Sequence, residues 1–319
     1  MKLNKIKLAL GFVTAAAMAM PIVASAAADQ EKAMSNSANW AHPRGQHDNQ
    51  AYSKLTQINK GNVKNLKAAW TLSTGVNRGH EGSPLVIGNM LYVHTAFPNN
   101  VYALDLNNNQ KVVWSYFPKQ DPSVQAVLCC DNVNRGLGFG NGKIFLQQND
   151  GNLVALNAKT GAKVWSTLNT DPKVGATNTN APHVIKDKVL TGCSGAEFGV
   201  RCFIAAYNIE DGSLAWKAMS TGPDSEVLIG ADFNKENPLY SALSVYEDVN
   251  GGNVEGGSFK RIPNDQLQGG VADLGLKTWL KPQAVKDGWQ HGGGSVWGWW
   301  PYDAKTNLVY YGTGNPSVW

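Results

Sequence analysis

An all-β fold of the propeller type is predicted by three observations: a repeating sequence pattern, a tryptophan at a fixed period within it, and turn residues about every ten positions. The pattern occurs in VYALDLNNNQKVVW (Val101 to Trp114), LVALNAKTGAKVW (Leu153 to Trp165) and IAAYNIEDGSLAW (Ile204 to Trp216). Each reads as an apolar strand, a polar turn and a second strand ending in tryptophan. The tryptophans stand at 114, 165 and 216, a period of 51. Asn107-Asn108, Thr160-Gly161 and Asp211-Gly212 lie where tight hairpins need residues tolerant of left-handed backbone. Short strands in a repeat of about 50 residues describe a propeller with one four-stranded blade per repeat. Such a blade is stable only when its neighbours cover its faces. Two more fragments look like degenerate copies: NLKAAWTLSTG, ending its strand at Trp70, and WPYDAKTNLVYYGTGN from Trp300.

From the N-terminus, residues 1–26 read as a secretory signal peptide. Lys2, Lys5 and Lys7 precede an apolar run from Leu8, and Ala24-Ser25-Ala26 fits a small-residue cleavage site. Gly11, Thr14, Pro21 and Ser25 break the run and argue against a retained anchor, and no other apolar stretch could span a bilayer. Cleavage takes the formal net charge from +4 to +1, so the basic balance makes no case for nucleic acid as a partner. Residues 27–319 are read as a partial propeller with room for about five blades. The stretch from Asp232 to Gly294, with NGGNVEGGSFKRIPNDQLQGG at its centre, resists the repeat and reads as a long excursion between blades or a local cap.

An exported chain with four cysteines is expected to hold disulfides. Cys129 and Cys130 are adjacent, in CCDNVNRG. Neighbouring Cα atoms lie about 3.8 Å apart, below the usual disulfide minimum of about 4.4 Å, so a bond between them must distort the intervening peptide. Spacing alone leaves open whether they bond to each other, pair elsewhere or stay reduced. The six histidines form no H-x-x-x-H and the cysteines no C-x-x-C, so a zinc-type site is not indicated.

RGHEGSP (Arg78 to Pro84), CCDNVNRG, SGAEFGVR (Ser194 to Arg201), GGGSVWGW (Gly292 to Trp299) and GTGNP (Gly312 to Pro316) occur in that order on the tryptophan-marked repeat. In this the chain resembles the periplasmic quinoprotein methanol dehydrogenases from about Trp40 to Trp319. The resemblance implies an eight-bladed propeller holding pyrroloquinoline quinone (PQQ) and a metal ion. It implies that Cys129 and Cys130 form a disulfide ring against one face of the quinone while Trp297 packs on the other. A flat cofactor needs two flat or rigid walls, and indole is the largest available. Trp299 and Trp300 are read as core. By the same resemblance Arg135 reaches the quinone oxygens, and Thr179, Ser194, Gly195, Ala196 and Ser295 hydrogen-bond the cofactor's edge, with Glu81 at the same rim. Glu197 and Asn315 match the metal ligands, oxygen donors suited to calcium or a lanthanide. Glu197 lies in an otherwise uncharged stretch, which itself suggests a partner. We further expect a Cys193–Cys202 disulfide, because these cysteines flank the Glu197 loop at the ends of neighbouring strands.

The activity so implied is oxidation of methanol or another short primary alcohol to the aldehyde, with hydride passing to PQQ and electrons leaving to a periplasmic cytochrome c. The general base, an aspartate in the family, falls beyond Trp319. The segment GLGFGNGKIFLQQNDGNLVALN is similar to the lanthanide-dependent branch, although Ala196 stands where that branch often has glycine. A dimer, of two copies or with a small subunit, is expected. The rival reading is a non-catalytic propeller scaffold of the outer-membrane assembly type. That class usually carries a lipidated cysteine at the cleavage site, which ASAAADQ lacks. It also has no use for Cys129-Cys130, Glu197 and Trp297 together. A sugar or polyol quinoprotein is disfavoured by the cysteine pair and GAEFG.

Overall fold

The computed structural model describes residues 28–222, 227, 246–248, 259–261 and 288–315. The expected signal peptide, most of the excursion from Asp232 and the last residues from Pro316 lie outside these. Three complete antiparallel sheets of four strands follow one another in sequence. The first holds β1 (Leu85–Ile87), β2 (Met90–His94), β3 (Val101–Asp105) and β4 (Lys111–Tyr116); the second β5 (Leu137–Gly140), β6 (Lys143–Gln147), β7 (Asn152–Asn157) and β8 (Lys163–Leu168). The third holds β9 (His183–Ile185), β10 (Lys188–Thr191), β11 (Phe203–Asn208) and β12 (Leu214–Met219). Two-stranded pieces follow, β13 (Tyr246–Asp248) with β14 (Phe259–Arg261) and β15 (Tyr302–Asp303) with β16 (Leu308–Val309). Of about five expected repeats, three are complete among the described residues.

Strand alternation assigns each sheet two buried faces. In the second sheet Ile144, Leu146, Val154 and Leu156 pack with Leu85, Tyr92, Val101 and Trp114 of the first. The intervening Phe145, Leu153 and Ala155 pack the other way, with Val184, Val189, Phe203 and Tyr207 of the third. Ile185, Leu190, Ile204 and Ala206 continue the stack onto Val296, Trp300 and Tyr302.

The repeat tryptophans lock this stack. One residue before each, the register shifts by a bulge, so that Trp114, Trp165 and Trp216 oppose the small Ala103, Ala155 and Ala206. A bulge sharpens local twist and re-aims the next side chain. Trp114 then donates its indole N–H to Ala158 O of the second sheet at 3.0 Å, and Trp165 donates to Ile209 O of the third at 3.2 Å. Gly161 (φ 72°) and Gly212 (φ 71°) leave room for the indoles: a Cβ there would lie 2.6 Å from Trp114 and Trp165 respectively.

The N-terminal segment bonds the free edge of β1, with Trp40 and Val86 exchanging both backbone bonds at 2.8 and 3.0 Å. The fragment ending at Trp70 departs from expectation. Residues 66–74 form no strand, and Trp70 is 40% exposed. Among the described residues no strand pairs with this segment, and an unpaired strand leaves its backbone groups unsatisfied. No helix among the described residues is long and apolar enough to cross a membrane.

Candidate functional site

The sequence motifs fall at equivalent places in successive repeats. Glu81 precedes β1, Arg135 precedes β5, Thr179 precedes β9 and Trp297 precedes β15, each in the segment leading to the first strand of its sheet. Parallel bridges Ser83↔Gly136 and Arg201↔Gly293 tie these segments to other parts of the stack. Ser194 to Glu197 lie instead between β10 and β11.

Arg135 gathers the entry segments. Its side chain is buried, and Nε lies 3.1 Å from Glu81 Oε2. Nη1 donates to Thr179 Oγ1 at 2.8 Å, and to Thr179 O and Trp297 O at 3.3 Å each. The guanidinium sits 4.7 Å from the Trp297 ring centroid, within cation–π range. Burial lowers the Arg135 pKa from its ordinary value, and the Glu81 carboxylate opposes that shift by favouring the charged form. Arginine stays cationic under such a shift, so the site presents a fixed positive charge.

From Thr179 the polar chain continues. Thr179 Oγ1 and Ser194 Oγ are 2.9 Å apart, and Thr177 and Ser194 exchange backbone bonds at 3.0 and 2.9 Å. Gly195 caps a 3₁₀ turn, Ala196–Phe198, with φ 113°. A Cβ at Gly195 would meet Gly175 O at 2.1 Å, so no other residue fits there unchanged. Ala196 donates its N–H to Ser295 Oγ at 3.2 Å, and Ser295 pairs with Gly314 through two backbone bonds at 2.8 and 2.9 Å. These contacts set the chain at Glu197 beside the chain at Asn315.

Two disulfides are present among the described residues. Cys193–Cys202, as expected, clips the loop holding Glu197, with its Cα atoms 5.3 Å apart and both side chains fully buried. Cys129 and Cys130 are bonded to each other on an exposed turn.

Glu197 Oε2 is buried without a hydrogen-bond partner. Leaving a carboxylate oxygen so is costly, and a hard cation is the group that would satisfy it. Asn315 Oδ1 accepts from Trp297 Nε1 at 3.1 Å, and an amide oxygen keeps a second lone pair. Donor chemistry therefore suits an oxygen-ligated cation. Around it, a fixed arginine, hydroxyl groups and a half-exposed indole suit a flat anionic ligand.

Sequence reasoning misses Trp299, which it assigns to the core. The residue is only half-buried, donates from Nε1 to Arg135 O at 3.1 Å, and is overlaid by Arg44 at 5.1 Å. Arg135 is thereby held at its backbone as well as its side chain. The signal available was position: Trp299 lies two residues after Trp297 in the same entry segment. Trp300, by contrast, is 2% exposed and stacks on His183, as a core residue should.

Residues 40–237 match the family described as glucose/ethanol/alcohol dehydrogenase, PQQ, β-propeller domain. The chain is 49% identical over 280 residues to a putative dehydrogenase, XoxF, of Paracoccus denitrificans, covering 88% of this chain and 41% of that protein. It is 47% identical over 288 residues to the lanthanide-dependent methanol dehydrogenase of Methylorubrum extorquens, covering 90% and 42%. A europium-containing methanol dehydrogenase structure superposes with a TM-score of 0.72 at 44% identity, over 90% of this chain and 44% of that one. The chain thus spans about two fifths of the length of the curated relatives it matches.

Proposed function

The chain belongs to the PQQ glucose/ethanol/alcohol dehydrogenase β-propeller family, and we propose that its protein oxidises methanol or another short primary alcohol to the aldehyde. The observation that carries this reading is the Arg135 hub, a buried cation joined to Glu81, Thr179 and Trp297 from three other entry segments. When bound, PQQ would supply the acceptor for the hydride. Trp297 and the Cys129–Cys130 disulfide are its proposed walls. Arg135, Thr179, Ser194, Gly195, Ala196 and Ser295, with Glu81, are proposed to line its edge.

Arg135 would hold positive charge against the electron-accepting oxygens, and its contacts to Glu81 and Thr179 keep it from turning toward water. Glu197 and Asn315 are proposed as metal ligands. The orphaned Glu197 oxygen supports this, and the ion is proposed to be a lanthanide, as the names of some relatives mention, or calcium. We propose that residues 1–26 direct export to the periplasm and that residues 27–319 are part of the propeller. A cytochrome c is the proposed electron acceptor, consistent with the name of one relative, methanol dehydrogenase [cytochrome c] subunit 1 of Methylorubrum extorquens, 46% identical over 287 residues. The protein is proposed to act as a dimer, of two copies or with a small subunit.

Glu197→Gln tests the proposal, because it keeps the size of the side chain and removes one charge where oxygen charge largely sets affinity. In protein expressed from the complete gene, metal content and dye-linked methanol oxidation should fall together, with excess metal restoring part of both. Stoichiometric metal and normal turnover in the variant would return Glu197 to the role of a structural loop acid.

A further inference from the structure

The turn carrying the cysteine pair is held by a carboxylate that the proposed chemistry does not use. Cys130, Asp131 and Asn132 are three consecutive residues in left-handed backbone, with φ 62°, 60° and 63°. Residues with a Cβ keep that conformation only where surrounding contacts hold it. Asp131 supplies two of those contacts. Its Oδ1 accepts from Arg78 Nη1 and its Oδ2 from Gly79 N–H, both at 2.8 Å. Both oxygens thus grip one loop, which continues through Glu81 to Arg135. Asn132 anchors the other side: Nδ2 donates to Gln125 Oε1 at 3.1 Å, and its carbonyl accepts from Phe97 N–H at 3.0 Å.

We propose that Asp131 is a positioning residue for the cofactor site, coupling the Cys129–Cys130 turn that precedes β5 to the Arg78–Glu81 loop that precedes β1. The disulfide and the Glu81–Arg135 edge then move as one unit, although they belong to different sheets. The inference rests on the quinoprotein reading. Arg78 and Asp131 are each about half exposed, 46% and 49%, so their attraction is open to screening by salt.

The test uses protein expressed from the complete gene and freed of cofactor, comparing wild type with Asp131→Asn, Asp131→Glu, Arg78→Gln and the Arg78→Gln/Asp131→Asn double variant. Dithiothreitol reduction of Cys129–Cys130 is followed by alkylation and peptide mapping, and PQQ affinity by the visible absorption of the bound cofactor. Asp131→Asn should speed reduction and weaken PQQ binding by about 3–10-fold each, the range of a modest charged contact. Asp131→Glu should recover part of the loss. Arg78→Gln should reproduce the part carried by the Arg78 contact, leaving the Gly79 N–H bond in place, and the double variant should be no worse than Asp131→Asn, because the two changes share that contact. Raising salt from about 0.05 M to about 1 M should speed reduction relative to Asp131→Asn in the wild type only. Cys193–Cys202 should be reduced at an unchanged rate in all variants.

Wild-type reduction rates and PQQ affinities in both Asp131→Asn and Arg78→Gln would overturn the inference. Equal acceleration at both disulfides would also overturn it, making Asp131 a residue of general stability. A wild-type protein that fails to bind PQQ would remove the quinoprotein reading first, and the positioning role with it.

Discussion

Two sets of tryptophans separate the fourth-strand side of the sheets from the first-strand side. On the first of these, Trp114 and Trp165 are each 9% exposed, their indole N–H groups bonded to the backbone of the next sheet and their rings set over its glycine turn. Trp216 has the same place in the repeat but is 43% exposed. On the other side Trp297, 41% exposed, has a side chain as a partner for its N–H and a guanidinium on one face. Burial of Trp114 and Trp165 therefore comes from the adjacent sheet. Exposure of Trp297 is instead built by polar neighbours that fix the ring without covering it.

The largest effect should come from breaking the first set. Trp165→Ala removes a buried indole and its hydrogen bond, and should cost about 3–5 kcal/mol, seen as a lower urea midpoint at unchanged slope. Trp297→Ala should change stability by less than about 1 kcal/mol yet weaken PQQ binding by about 10–100-fold, since a half-exposed ring contributes to a ligand surface more than to the core. If the two substitutions destabilised the protein equally, the division between the two sets would be lost.

Gly161→Ala sharpens the comparison from the partner's side. It places a methyl group 2.6 Å from the Trp114 ring on a backbone with φ 72°. About 1–3 kcal/mol should be lost, whereas Gly142→Ala, with φ 63° and nothing within 4 Å, should lose less. Urea unfolding of the pair measures the difference.

Acid tests the buried histidines of the stack. Burial holds His183 at about 3 and His94 at about 4, against about 6.5 in the unfolded chain. His42, bonded to His183 at 3.2 Å, is also held low, chiefly by burial. The unfolded state binds more protons below the unfolded value, so stability is complete above about pH 6.5 and declines as pH falls toward 4. Each histidine contributes about 1.4 kcal/mol per pH unit in that window. Thermal midpoints measured from pH 7 to 4.5 should fall, and His183→Gln should make the decline shallower. A flat profile would show that these histidines are not buried neutral in solution.

Much of this fold is legible in the chain itself. Alternation and turn chemistry act over a few residues, so β3–β4, β7–β8 and β11–β12 and their terminal tryptophans can be read from the residues alone. The Cys193–Cys202 clip follows from the strands on either side of it. The first hairpin shows the limit of such reading. Left-handed backbone there falls on Asn109 and Gln110, two residues past the expected Asn107-Asn108 turn, because bulge and turn together set which residues reverse the chain. Trp70 marks another limit, since a strand pattern makes no strand without a neighbour to bond.

Residue types and their order established the repeat, the sheet class and the motifs, because those depend on local backbone preference and on the period of apolar side chains. Only the stacked sheets decided that Arg135 meets Trp297 across 162 residues of chain, that Trp299 holds the Arg135 carbonyl, and that Glu197 buries an oxygen without a partner. Those facts arise from the packing of one sheet upon the next. That packing is a sum of contacts between distant segments, and no short stretch of sequence contains it.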